Sequence, residues 1–159
     1  MPEKKFFDSL VDKVSGLAAS GLSRDEALTR VCRLLKEAVP HYDWVGFYLV
    51  AGERELVLGP YAGEPTEHTR IAFGSGICGQ AADREETFVV QDVRRETNYL
   101  SCSPSVRSEI VVPIFAESRL VGELDIDSHK LATFSAADRE FLEEVARRVA
   151  PLFQHKFPE

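Results

Sequence analysis

Cysteine is scarce in this chain, and so are long hydrophobic runs. Its 159 residues include three cysteines, one methionine and one tryptophan. An odd, sparse set of cysteines is unlike a secreted disulfide scaffold and favours a compartment where thiols stay reduced. No apolar run approaches the length of a membrane span, and the start of the chain holds no signal-peptide core. The composition therefore predicts a cytoplasmic protein with no membrane partner.

The chain also lacks an excess of positive charge and contains no metal-binding motif. The formal net charge is -7, which disfavours a nucleic-acid backbone as a partner. The four histidines are scattered, with no HxH, HExxH or CxxC spacing, so we expect no metal site. There is no GxSxG motif, and the loop at residues 74–76 lacks the lysine of a phosphate-binding loop. We expect no cofactor.

The chain contains helical patterns at both ends and strand patterns between them. The apolar steps of Phe6, Leu10, Val14 and Leu17 predict a first helix over residues 3–19. Capping pairs, serine followed by an acidic residue, predict a second helix from residue 23 and a last helix from residue 135. Aromatic and β-branched residues predict strands at 42–50, 55–58, 70–73 and 87–90, with a short helix from residue 77. The second strand is expected to end at Gly59-Pro60.

Residues 109–128 predict a further pair of strands joined by a polar turn at Glu117-Ser118. The whole order predicts an α+β fold, a single domain over residues 1–159 with residues 1–21 as an extra N-terminal helix. In this arrangement the terminal helices pack on one face of a central antiparallel sheet. Loops close a pocket on the other face.

The last predicted strand carries an unusual row of acids. Strand side chains alternate between faces, so Glu123, Asp125 and Asp127 share one side and apolar residues take the other. One interpretation is a half-buried strand with its polar face in water. The other is an acidic site, provided that further polar groups point at the same face.

The cysteines are the best candidates for chemistry. Cys78 begins a short helix behind a glycine turn, where backbone N–H groups would stabilise a thiolate. Cys102 lies in a long polar loop among serines, a setting typical of an accessible thiol, whereas Cys32 adjoins an apolar stripe and is expected to be packed. A lone cysteine is usually incidental. Cys78 and Cys102 bracket one short strand, however, which favours a redox pair.

Several short motifs follow one another along nearly the full chain. They lie at residues 44–48 (WVGFY), 57–60 (VLGP), 76–79 (GICG), 108–110 (SEI), 124–128 (LDIDS) and 134–138 (FSAAD). Together they resemble the GAF domain and, within it, the free methionine-(R)-sulfoxide reductases. This resemblance implies an enzyme that reduces free L-methionine (R)-sulfoxide, with thioredoxin or another thiol as the reductant.

The resemblance also implies roles for particular residues. Cys102 matches the attacking cysteine, which becomes a sulfenic acid and then a disulfide, and Cys78 matches an auxiliary cysteine that helps resolution. His68 occupies the position of the usual resolving cysteine, so resolution falls to Cys78 or to an external thiol. Two further sets match the substrate pocket: an acidic cluster that holds the sulfoxide oxygen and the ammonium group, and an aromatic wall around the methylsulfinyl end. They are Glu109, Asp125 and Asp127, and Trp44 and Tyr48.

Two other functions remain open at this point. The chain is alternatively a GAF module that binds a small ligand without catalysis, or an interaction protein whose terminal helices form a dimer surface. The narrow apolar stripes on the first and last helices predict a homodimer. An attacking thiol distinguishes the enzyme, because a sensor needs none.

Overall fold

The computed structural model describes residues 2–100 and 103–153. Four helices are present in these ranges: α1 (Pro2–Ala18), α2 (Arg24–Ala38), α3 (Gly76–Arg84) and α4 (Ala136–Val149). The strands are β1 (Trp44–Ala51), β2 (Glu55–Ala62), β3 (Arg70–Ala72), β4 (Phe88–Val90), β5 (Ser108–Ala116) and β6 (Arg119–Ser128). Short 3-10 turns follow at Val93–Arg95 and Ala150–Phe153. Among the described residues, no helix has both the length and the apolar character that crossing a bilayer requires.

The six strands form one sheet in the order β3-β2-β1-β6-β5-β4. Every neighbouring pair is antiparallel. The central strands β6 and β1 come from opposite ends of the strand region, so the sheet closes only when the two halves of the chain meet. This arrangement confirms the predicted α+β fold with a central antiparallel sheet.

Different elements pack against the two faces of the sheet. Helices α1, α2 and α4 contribute to the larger apolar core on one face, together with the inward side chains of the central strands. Helix α3 and the segments at residues 88–100 and 103–106 cover the other face with a second, smaller apolar cluster. Site chemistry is therefore confined to the second face, because the first is filled by apolar side chains.

The first helix packs along the last one rather than presenting its apolar stripe to solvent. The rings of Phe7 and Phe141 stack with centroids 4.2 Å apart. The expectation that Phe6 belongs to the stripe is wrong: Phe6 is 42% exposed and Phe7 is buried instead. The two stripes thus meet within one chain, and the homodimer stays a prediction.

The second strand runs further than its sequence indicates. Gly59-Pro60 was expected to end β2, yet the strand continues to Ala62. The register shifts between Gly46 and Tyr48, so that Gly59 and Pro60 together lie opposite the single residue between them. A β-bulge of this kind leaves one backbone N–H outside the ladder, which tolerates a proline. The carbonyl of Pro60 accepts a weak hydrogen bond from the Cys32 thiol at 3.5 Å, and this thiol is fully buried as predicted.

Two local sequence signals near the site have the structure predicted for them. Glu117 and Ser118 both have positive φ, 52° and 69°, which is the geometry of the two-residue type I′ hairpin turn. This confirms the predicted turn. Beyond Phe115 the register shifts by one residue, with Val121 as the extra residue of β6, and this shift is what pairs Glu109 with Asp127. The capping pair Ser135 and Asp138 is also confirmed, with both hydrogen bonds of a capping box present at the start of α4.

Asp138 ties the start of α4 to the rest of the fold. Its Oδ1 accepts a hydrogen bond from the Tyr42 hydroxyl at 2.7 Å and lies 2.9 Å from Nε2 of His41. Burial tends to raise the pKa of Asp138, but hydrogen bonds from His41, the Ser135 backbone and Tyr42 outweigh it and hold the pKa below its usual value. The carboxylate therefore contributes stability above the ordinary aspartate pKa, and this contribution is lost as pH falls through the lowered pKa.

We predict that Asp138→Asn lowers the free energy of unfolding by about 1–3 kcal/mol at pH 7, since it removes a charged acceptor of several hydrogen bonds. The deficit should shrink on acidification, because the parent also loses the charge there. Urea unfolding at pH 7 and near pH 3 measures this. Asp25→Asn, which removes an exposed first-turn carboxylate of α2, is the matched control. An equal deficit at both pH values would show that the charge of Asp138 is not what stabilises the cap.

Candidate active site under helix α3

Six polar and aromatic side chains point from the central strands to one face of the sheet. Directly paired residues of antiparallel strands project to the same side. Strand β6 pairs Asp127 with Trp44, Asp125 with Gly46 and Glu123 with Tyr48 on one flank. On the other flank Asp127 pairs with Glu109. The shared face thus carries Trp44, Tyr48, Glu109, Glu123, Asp125 and Asp127.

This acidic face is buried. The exposed fractions of Glu109, Glu123, Asp125 and Asp127 are 5%, 0%, 1% and 2%. The interpretation of a polar strand face in water is therefore wrong, because α3 and the smaller apolar cluster lie over it. The alternative, an acidic site toward which other groups converge, agrees with this geometry.

Helix α3 sits close enough to the sheet to bring its cysteine among the acids. A Cβ added at Gly79 would lie 2.5 Å from the carbonyl oxygen of Ala72, so only glycine allows this approach. The Cys78 thiol then donates a weak hydrogen bond to Oε2 of Glu109 at 4.0 Å. Single ligand atoms of Cys78, Glu109 and Asp125 all lie within 4.8 Å of one another.

The environment of Cys78 opposes a thiolate. Burial, followed by the charges of Asp125, Glu109, Glu123 and Asp127, raises the pKa of the thiol well above its usual value. The prediction that backbone N–H groups at the start of α3 stabilise a thiolate is wrong, because desolvation and four neighbouring carboxyl groups outweigh the helix terminus. Cys78 is a neutral thiol at physiological pH in the unliganded site.

The carboxyl groups also resist ionisation. Burial raises the pKa of Glu123, Asp125 and Asp127, and the charge of Asp125 raises those of Glu123 and Asp127 further. Hydrogen bonding with Glu109 lowers the pKa of Asp125 and Asp127 without offsetting burial. Crowded carboxyl groups of this kind hold protons at neutral pH and can donate them in hydrogen bonds.

Glu123 lies on the acidic face of its strand, although it is not among the predicted site residues. It is fully buried, and neither of its carboxyl oxygens has a hydrogen-bond partner; one oxygen each of Asp125 and Asp127 is likewise unpartnered. The signal that reveals Glu123 is its alternation with Asp125 and Asp127. The resemblance assigns roles only to Glu109, Asp125 and Asp127 and therefore passes over it.

The predicted pocket residues border two separate cavities. The inner cavity measures about 10 Å³, and its lining comprises Tyr48, His68, Ile71, Gly76, Ile77, Cys78, Leu100, Glu109 and Asp125. An outer pocket of about 330 Å³ lies beside Trp44 and Asp127 and is also bordered by Ser103, Val106 and His129. Trp44 and Tyr48 therefore share a strand face without sharing a cavity.

Hydrogen bonds hold the two aromatic side chains in place. The Trp44 indole donates to the carbonyl of Glu64 at 2.8 Å, and its ring stacks on Tyr61. The Tyr48 hydroxyl donates to the carbonyl of His68 at 2.9 Å. His68, which the resemblance matches to the resolving cysteine, thus borders the same inner cavity as Cys78. Cys102 lies outside the described residues.

A six-stranded antiparallel sheet with helices on one face and a closed polar site on the other defines a GAF domain protein. The chain belongs to the GAF domain family, whose sequence profile matches residues 21–154. Two of its relatives carry the same name, free methionine-R-sulfoxide reductase. The free methionine-R-sulfoxide reductase of Saccharomyces cerevisiae is 35% identical over 84% of this chain and 80% of its own length. That of Escherichia coli is 31% identical over 94% and 89%.

A solved structure gives the same relationship in three dimensions. The free methionine-R-sulfoxide reductase from Neisseria meningitidis, in complex with its substrate, superposes with a TM-score of 0.87. It is 39% identical, and the alignment covers 92% of this chain and 87% of that one. The similarity thus extends over nearly the whole fold, including the strands that carry the acidic face.

We predict that Glu123→Gln stabilises the unliganded protein at high pH. A buried acid with a raised pKa contributes stability below the ordinary glutamate pKa and loses it as pH rises through the raised value. Thermal unfolding should therefore show a variant that melts higher than the parent at pH 9, by about 2–4 °C per kcal/mol, and much closer to it at pH 5.

Glu140→Gln, on the exposed surface of α4, is the control and should match the parent at both pH values. A Glu123→Gln variant that melts below the parent at pH 9 would contradict a protonated, unpartnered carboxyl at this position.

Proposed function

We propose that this protein reduces free L-methionine (R)-sulfoxide to methionine. Relatives at 31–39% identity carry the name of this activity over most of their length, and one of them has been solved with its substrate. The observation in this chain that carries the proposal is the buried acidic face beside the Cys78 thiol. Such a cluster suits a ligand that is both a cation and a hydrogen-bond acceptor, and free methionine sulfoxide is both.

The acids would serve two purposes in binding. An ionised carboxylate among Glu109, Asp125 and Asp127 pairs with the substrate ammonium, whose charge in turn favours ionisation. A carboxyl group that stays protonated donates a hydrogen bond to the sulfoxide oxygen. Trp44 and Tyr48 provide aromatic surface for the methylsulfinyl end.

The reaction follows from the same groups. The Cys102 thiolate attacks the sulfoxide sulfur while a carboxyl group supplies a proton to the oxygen, and the products are methionine and a Cys102 sulfenic acid. A second thiol then attacks the sulfenic sulfur, forming a disulfide and releasing water. The role of Cys102 rests on the resemblance and on its position in the chain.

Resolution is the step in which this chain departs from the family. His68 stands in place of the usual resolving cysteine, so Cys78 or an external thiol must form the disulfide. Cys78 starts as a neutral thiol with a raised pKa, which slows its attack. We propose that thioredoxin or another dithiol in the cytoplasm completes the cycle, and that the protein works as a homodimer.

Substrate entry requires the inner cavity to open. A volume of about 10 Å³ holds a single water molecule and no amino acid. Leu100 closes this cavity over the start of α3, where its Cγ would lie 2.7 Å from a Cβ added at Gly76. We propose that the substrate displaces Leu100 and joins the inner cavity to the outer pocket beside Trp44.

The alternative is a GAF module that binds a small ligand without turnover. The neutral state of Cys78 and the closed inner cavity favour it, since neither describes an activated nucleophile. In that case methionine sulfoxide, or a related amino acid, would stabilise the protein against heat without being reduced.

We predict turnover of the R epimer, and not of the S epimer, in an assay that couples thioredoxin and thioredoxin reductase to NADPH consumption. Cys102→Ser should abolish it, because both described thiols, those of Cys32 and Cys78, are buried. Cys78→Ser should retain methionine release in the first turnover and lose most steady-state activity if Cys78 resolves. Cys32→Ser is the matched control and should keep the parent's rate.

No consumption by the folded, reduced parent with either thioredoxin or dithiothreitol would eliminate the reductase. Activity of Cys102→Ser equal to that of the parent would eliminate the assigned nucleophile.

A further inference from the structure

The inner cavity has the composition and size of a metal site. A thiol and two carboxyl groups, from Cys78, Glu109 and Asp125, each offer one ligand atom, and these atoms lie within 4.8 Å of one another. All three residues are buried. The cavity that they border measures about 10 Å³, which accommodates an ion or one water molecule but no organic ligand.

Unpartnered oxygens provide a second, independent indication. Oδ1 of Asp125 is buried without a hydrogen-bond partner, and so are both carboxyl oxygens of Glu123, which lies on the same strand face. The described residues that line the cavity include no lysine or arginine. A cation placed there would relieve the cost of burying these oxygens.

We propose that Cys78, Glu109 and Asp125 bind a zinc ion in the unliganded protein and that zinc excludes the amino-acid substrate. Zinc binding releases to solvent the proton of the Cys78 thiol and any proton on the two carboxyl groups. The thiolate and one oxygen from each carboxylate then supply three of the four ligands of tetrahedral zinc. A thiolate among the ligands selects zinc over magnesium or calcium, which prefer oxygen.

The geometry needs only small adjustments. Zinc bonds of about 2.0–2.3 Å place neighbouring tetrahedral ligands roughly 3.3–3.7 Å apart. The Cys78 sulfur and Oε2 of Glu109 are already 4.0 Å apart. The donors come from α3, β5 and β6, so they form no short spacing motif, and the expectation of no metal site could not have detected them.

Cadmium, a spectroscopic substitute for zinc, tests the site in the reduced, metal-free full-length protein. One equivalent should produce a thiolate-to-cadmium charge-transfer band in the ultraviolet, and zinc should displace it. Cys78→Ser should lose the band and Cys102→Ser should keep it. Asp125→Asn should weaken binding about tenfold or more, whereas Glu140→Gln should match the parent.

Three results would overturn the site: no band in the folded parent, a band that survives Cys78→Ser, or equal affinity in Asp125→Asn. Circular dichroism of each variant shows that it is folded, and Asp125→Asn tests the site independently of the cysteine. The titration requires no turnover, so its failure is distinct from failure of the reductase.

The exclusion of substrate rests on the proposed function and has its own measurement. Zinc should raise the apparent KM for methionine sulfoxide in the parent in proportion to its occupancy of the site, in an assay with dithiothreitol held below the level that strips the metal. Zinc that binds with the expected ligands but leaves KM unchanged would overturn the exclusion.

Discussion

Four carboxyl groups and a thiol are buried together between the central sheet and helix α3. Glu109, Glu123, Asp125 and Asp127 are each at most 5% exposed, and the described residues that line the inner cavity include no lysine or arginine. Desolvation makes every negative charge here costly, and each charge makes the next one costlier. The unliganded site is therefore held close to neutrality. A positively charged ligand would favour ionisation of the carboxyl groups, because its charge offsets theirs.

The rest of the fold keeps these groups in register. Leu124 and Ile126 alternate with the acids and point into the larger core, so a slip of one residue would bury the acids in that core and place the apolar row in the site. The type I′ turn at Glu117-Ser118 and the one-residue shift at Val121 together set the pairing of Glu109 with Asp127 from the end of the hairpin. On the opposite side of the site, Gly79 lets α3 approach closely enough to place Cys78 over Glu109.

Much of this architecture was predictable from local patterns. The alternation in β6, the hairpin turn and the capping pairs each depend on neighbours in sequence, and the helices and most strands follow from them. The extension of β2 was not predictable, because the bulge that tolerates Pro60 depends on its pairing with β1. The resemblance indicated which acids to examine, and the register shows that Glu109, Asp125 and Asp127 share one face with Trp44 and Tyr48.

What sequence could not provide was the environment of that face. Whether an acidic strand face meets water or a helix is decided by residues far away in the chain, such as those of α3. The same long-range packing makes Cys78 a neutral thiol and places Trp44 and Tyr48 beside different cavities. Cys102 lies outside the described residues, so its role stays a prediction.

The central claim is that the acidic face binds a free amino acid through its ammonium group. Calorimetric titration of Cys102→Ser, with free L-methionine (R)-sulfoxide and with its N-acetyl derivative, tests this most directly, because the variant cannot turn over the ligand. We predict that the free amino acid binds and that the derivative, which lacks the positive charge, binds at least about 100-fold more weakly, a difference of about 2.7 kcal/mol. Equal affinities would contradict the account.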